Sequence, residues 1–198
     1  MNDTQIERHP LKPFLPADAR VLLLGSFPPP HRRWSMEFFY PNFNNDFWRI
    51  VGLLFYNDKL HFITEGEKKF DCEKIKTFCE SAGIALFDTA TAVIRTKANA
   101  SDKDLEIVEK TDLPLLLRQI PECRNVACTG EKAGKTFATV FGMDNCPAVG
   151  KSQTFFFDER EIRFYRMPST SRAFPAPLEK KAVFYREIFL HCKCNLHI

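Results

Sequence analysis

The run Val21-Leu22-Leu23-Leu24-Gly25-Ser26-Phe27-Pro28 decides the fold. Its apolar part is continuous rather than alternating, the pattern of a strand buried on both faces of a parallel sheet. Gly25 and Pro28 then break the strand and leave small or aromatic residues at its carboxyl end, where open α/β folds hold their ligands. An aromatic and Asn-rich run follows, Phe38-Phe39-Tyr40-Pro41-Asn42-Phe43-Asn44-Asn45-Asp46-Phe47-Trp48. Near the other terminus, Tyr165-Arg166-Met167 breaks in the same way into Pro168-Ser169-Thr170-Ser171-Arg172. The two breaks can open onto one sheet edge. One offers a stacking surface and amides, the other hydroxyls and a cation.

Working outward, hydrophobic periodicity alternates between strand and helix. Asn44 or Asn45 is placed to cap a helix whose stripe is Phe47, Trp48, Ile50, Val51, Leu54 and Phe55. A second helix is predicted over 67–81, a strand over 83–88, and then a long polar connection through Arg95, Lys97, Asn99, Ser101 and Asp102. Thr111 is placed to cap a helix through Leu115, Leu116, Leu117 and Ile120. The segment 125–128 reads as a strand ending in Thr129-Gly130, followed by a helix through Ala133, Phe137 and Val140. Strands over 154–157 and 162–167 suggest a hairpin around Asp158-Glu159-Arg160, before a final amphipathic helix through Phe189. The expected fold is α/β: one domain over residues 1–198, a three-layer α/β/α sandwich around a central, mostly parallel sheet.

Composition narrows the function classes. With 44% hydrophobic residues, 20 Phe and 198 residues, the chain can bury a sizeable aromatic core. A net charge of +3 permits a polyanionic partner but leaves the attraction to local patches. Seven cysteines show no metal-like array and read as free thiols of a reducing compartment. The N-terminus lacks the apolar core of a signal peptide, and no segment reaches bilayer-spanning length, so a cytoplasmic protein is expected. Only 8 Gly and no phosphate-cradling Gly-rich motif argue against a nucleoside triphosphatase or dinucleotide enzyme.

Four segments together resemble the uracil-DNA glycosylase superfamily: 23–28, 45–48, 83–88 and 167–171, in that order. The pattern is most similar to the hypoxanthine-DNA glycosylase branch and more distantly to the mismatch-specific uracil glycosylases. The resemblance implies a monomer that hydrolyses the N-glycosidic bond of a deaminated base, hypoxanthine or uracil, in DNA. It implies water as nucleophile, with no cofactor and no metal. It implies Asn45 as the first candidate for positioning that water, with Asp46 second and Asn44 third. The branch usually has Pro two positions before the Asn, where this chain has Phe43.

Further roles are implied by the same resemblance. Gly25, Ser26 and Phe27 would line the base pocket, with Tyr40 and Asn99 as further base-binding candidates. Pro168, Ser169, Thr170 and Ser171 would pinch the DNA backbone, with Arg172 as a wedge or phosphate contact. Arg32 and Arg33, beside the first break, are DNA-binding candidates. Met167 stands where other members carry the His that stabilises the base anion, and Ser26-Phe27-Pro28 lacks the acid that others place after the first strand. A lesion-binding protein without chemistry, and a nucleotide or nucleoside hydrolase using the same pocket, therefore stay open as alternatives.

Overall fold

The computed structural model describes residues 5–97, 102–172 and 174–192. Strands β1 (Ile6–Arg8) and β2 (Val21–Gly25) precede helices α1 (Phe47–Tyr56) and α2 (Cys72–Ala82). Next come β3 (Ile84–Asp88), β4 (Ala90–Arg95), β5 (Leu105–Lys110), α3 (Leu113–Gln119) and β6 (Asn125–Thr129). Helix α4 (Glu131–Val140), strands β7 (Lys151–Phe157) and β8 (Arg160–Met167), and helix α5 (Leu178–His191) complete the chain.

The central sheet has the order β3-β2-β6-β8-β7. β2 runs parallel to β3 and β6, and β6 parallel to β8, while β7 pairs antiparallel as the edge. All five residues of β2 and of β3 are buried, as their unbroken apolar runs require. Helices cover both faces. On β8, Phe164 faces α4 through Phe137, at 4.4 Å between rings, while the next residue, Tyr165, faces His191 of α5. Successive side chains on a strand point to opposite faces, so α4 and α5 form the two outer layers. The α/β fold with a mostly parallel five-stranded sheet is the one the sequence predicts.

Three local differences stand out. The predicted polar connection holds two strands, and β1-β4-β5 form a separate antiparallel sheet. The second helix starts at Cys72, because the Asp71 side chain accepts a hydrogen bond from the Lys74 amide and caps it there. Asp112, not Thr111, caps α3, while the Thr111 hydroxyl donates to the Asp88 carbonyl at 2.7 Å.

Register fixes where the strands end. Gly25 pairs with Asp88, Leu24 with Cys128, and Thr129 with Met167, so the carboxyl ends of β2, β3, β6 and β8 lie along one edge. Because β3 and β6 flank β2 on opposite sides, the chain reverses direction around β2, and a crevice opens at that point.

Phe137 is fully buried and contacts Phe141, Phe155 and Phe164. Phe137→Ala should lower stability by about 3–5 kcal/mol, measured as a lowered urea midpoint; an unchanged midpoint would contradict this packing of α4 on the sheet.

Candidate active site

The crevice is the mouth of a cleft of about 1360 Å³. Its walls carry Gly25, Ser26 and Phe27 at the end of β2, Asp88 from β3, Thr129 from β6 with Gly130 at the start of α4, and Pro168 to Arg172 after β8. The two segments singled out in the sequence therefore face each other across one cavity. Tyr40, Asn44, Asn45 and Arg33 also line it, whereas Arg32 does not. Asn99 and Ser101 lie outside the described residues.

At the inner end, two carboxylates meet. Glycine at position 25 permits this approach, since a Cβ there would collide with Asp88 Oδ1. The other carboxylate oxygen of Asp88 sits 2.9 Å from His9 Nε2, whose side chain is 3% exposed. Ser26 donates its hydroxyl to Asp102 Oδ1 at 2.7 Å. Burial raises the Asp102 pKa above the ordinary carboxylate value, and the Asp88 charge adds to the rise. The Ser26 hydrogen bond and the charges of Lys132 and Arg95 oppose it. Asp102 thus keeps its proton to higher pH than a solvated Asp.

Two aromatic candidates are fixed by packing. Phe27 is 9% exposed and packs with Ala90, Val93 and Leu105 of the small sheet, edge-on to His9 at 5.4 Å. The Tyr40 ring stacks on Phe47 at 3.9 Å, and its hydroxyl lies 3.0 Å from Thr129 Oγ1. Burial drives the Tyr40 pKa far upward, so its hydroxyl stays protonated. Its backbone is left-handed, with φ 53°. Such a conformation is uncommon outside glycine and is held in place only when its surroundings compel it.

The Asn-rich turn resolves into two opposed roles. Asn45 lines the cleft, and its Oδ1 accepts the Phe47 amide at 2.8 Å, so it caps the first turn of α1. Asp46 is the residue that occupies the N-cap position, yet it makes no side-chain cap bond. Its carboxylate instead meets Lys181 Nζ at 3.0 Å and Arg172 Nε at 3.2 Å, on the far side of the turn. As a candidate for activating water in the cleft, Asp46 is thereby corrected: the turn aims it at α5, and two cations occupy it.

The loop after β8 is anchored rather than free. The Pro168 carbonyl accepts from the Tyr185 hydroxyl at 2.8 Å, the Thr170 carbonyl from the Asp46 amide at 2.9 Å, and the Ser171 carbonyl from Lys181 at 2.9 Å. Helices α1 and α5 therefore set the shape of the loop. Among the described residues, no group of His, Cys, Asp and Glu is arranged to hold a metal ion, and no helix is long and apolar enough to cross a membrane.

His9, Asp88 and Lys181 are the residues that sequence reasoning did not assign to the site, and Asp102 was placed only as the end of a polar connection that could line it. Asp88 carried a signal, since it ends a strand as Gly25 does. His9 and Lys181 reach the site only through tertiary packing.

No protein-family profile matches the chain. It is similar to the hypoxanthine DNA glycosylase of Methanosarcina acetivorans, 28% identical over 129 residues that span 65% of this chain and 75% of that protein. Its fold matches the solution NMR structure of a Methanosarcina acetivorans protein provisionally assigned as a uracil DNA glycosylase. That match has a TM-score of 0.64 and 24% identity, and covers 96% of this chain and 99% of the other. The likeness thus covers nearly the whole chain in fold and about two thirds of it in sequence.

Lys181 is 1% exposed. Lys181→Ala would leave the buried Asp46 with Arg172 alone and should cost about 3–5 kcal/mol. Equilibrium unfolding reads this directly, and a cost below about 1 kcal/mol would show that the pair is not a strut.

Proposed function

We propose that the chain is a monofunctional DNA glycosylase that removes a deaminated base, hypoxanthine or uracil, from DNA in base-excision repair. The observation that carries this reading is the convergence of Gly25, Asp88, Thr129 and the loop 168–172 on one cleft at the sheet's switch point. Such a cleft suits a nucleobase rotated out of its helix, an event that costs a few kcal/mol of unstacking and unpairing. The similarity to a hypoxanthine DNA glycosylase supports the same reading.

Asn45 is proposed to position the attacking water. Its Oδ1 is held by the Phe47 amide, which fixes the side chain at the cleft wall without a charge. Departure of the base leaves an oxocarbenium-like sugar and negative charge on the base, which needs donors aimed at it. Met167 supplies none. Asp102 is proposed to fill that place: protonated, it donates to the departing base, while Ser26 holds its other face. Asp88, oriented by His9, is proposed to accept a ring N–H of the bound base. Phe27 and Tyr40 narrow the cleft around the ring, and the loop 168–172 with Arg172 and Arg33 meets the DNA backbone. The partner is DNA carrying a damaged or mismatched base, and the chain acts as a monomer. Residue Asn99, outside the described residues, stays a candidate reader of the base edge.

Single-turnover assays on labelled oligonucleotides carrying hypoxanthine, uracil, xanthine or a thymine mismatch test the proposal, with alkali revealing abasic sites. Release of one base, slowed about 10²-fold or more by Asn45→Ala, is expected. No release from any lesion, with salt-sensitive binding retained, would instead identify a lesion-binding protein of the same fold.

The raised Asp102 pKa sets the sign of a pH effect. The donor form is populated below that pKa and lost above it, so base release should decline as pH rises through the range. Asp102→Asn keeps a donor at every pH and should remove that alkaline decline. A pH profile identical in the two proteins would rule out Asp102 as the donor.

A further inference from the structure

A second, smaller cleft of about 460 Å³ lies beside the first, and Arg172 borders both. Its charged lining is Arg49, Lys59, Arg172 and Lys181 against one carboxylate, Asp46. Four cations around a single acid leave a strong excess of positive charge. Asp46 already bridges Lys181 and Arg172, and it reaches Arg49 through its charge alone, without a hydrogen bond. The Arg49 guanidinium uses one nitrogen on the carbonyls of Phe43 and Asn45, at 2.6 and 3.0 Å, and lies over the rings of Phe43 and Phe70. Burial lowers its pKa, and the Arg172 charge lowers it further, so two like charges face each other in the cleft. The Asp46 charge offsets part of this, and an added anion would favour the charged guanidinium further.

Resting on the proposed function, we infer that this cleft binds one phosphodiester group of the DNA strand whose base occupies the large cleft. A phosphodiester fits for three reasons. It carries a single negative charge, and its oxygens can accept from a planar guanidinium and an ammonium together. The shared Arg172 puts the second cleft at the lip of the first, where the backbone of a flipped nucleotide must pass. Arg49 also holds the Asn45 carbonyl, so an anion drawn to Arg49 is seated against the turn that carries the proposed water-positioning residue. Lys132, by contrast, lines the large cleft but not the small one. It donates to the Leu105 carbonyl at 2.6 Å and is tied to the small sheet.

The test is the salt dependence of binding to a duplex with a stable tetrahydrofuran abasic analogue, which reports affinity without chemistry. Lys59 is exposed at the cleft rim, so Lys59→Ala should fold normally. It is expected to lower the slope of log K against log salt by roughly 0.9, the value of one lost phosphate contact. Arg49→Gln should do the same. Replacing the strand's phosphates one at a time by neutral methylphosphonate should reveal one position that weakens wild-type binding and leaves Lys59→Ala binding unchanged. Normal DNA binding with an unaltered slope in both variants, and no position that couples to Lys59, overturns the phosphodiester site alone. Absence of any DNA binding by the wild type overturns it together with the proposed function.

Discussion

Everything around the cleft is hung on one buried ion pair. Lys181 enters from α5 and meets Asp46 at the start of α1 and the Ser171 carbonyl in the loop after β8. Removing two charges from water is costly, and a buried pair seldom adds net stability over an apolar one. What it adds here is register. Neither helix can slide along its axis, nor the loop shift, without stranding a charge. The Asp46 amide, donating to the Thr170 carbonyl, fastens the same junction a second time. Asn45 owes its position to this constraint, because once the neighbouring Asp46 is drawn toward α5, Asn45 is left facing the cavity.

The chemistry that gathers at the inner end differs from what the isolated motifs suggest. Ser26-Phe27-Pro28 carries no acid, yet Ser26 brings one within reach by hydrogen bonding Asp102 from a distant part of the chain. Met167 offers no donor, yet a carboxyl reluctant to ionise stands in the same cavity. Burial raises the proton affinity of Asp102, and the neighbouring Asp88 charge adds to the rise. His9 orders the pair by engaging Asp88 and leaving Asp102 to Ser26.

The sequence made the architecture legible wherever periodicity was strong. The apolar runs 21–25 and 84–88 became fully buried strands of the main sheet, and the breaks after Gly25 and Met167 did open on one cleft. The small sheet escaped notice because Leu105–Lys110 is a half-exposed strand interspersed with Glu and Lys, and Ala90–Arg95 follows β3 after a single residue. Without a turn signal between them, strand and connection look alike. The site was legible at its backbone positions and opaque at its partners. Nothing local in 178–191 marks Lys181 as buried, since amphipathic spacing treats a lysine as surface. Likewise, the two roles within Asn45-Asp46 depend on which element each side chain meets, and spacing carries no information about that.

Tyr40 holds a left-handed backbone at the wall of the cleft, its ring pinned by Phe47 and its hydroxyl by Thr129. A conformation of this kind stores on the order of 1–3 kcal/mol. Glycine or asparagine would adopt it with less strain while giving up the ring. Yet losing a ring packed on Phe47 and bonded to Thr129 costs about 3–5 kcal/mol, more than the strain relieved. Durability and workmanship therefore rest on the same side chain, and a lineage could not trade one for the other at this residue.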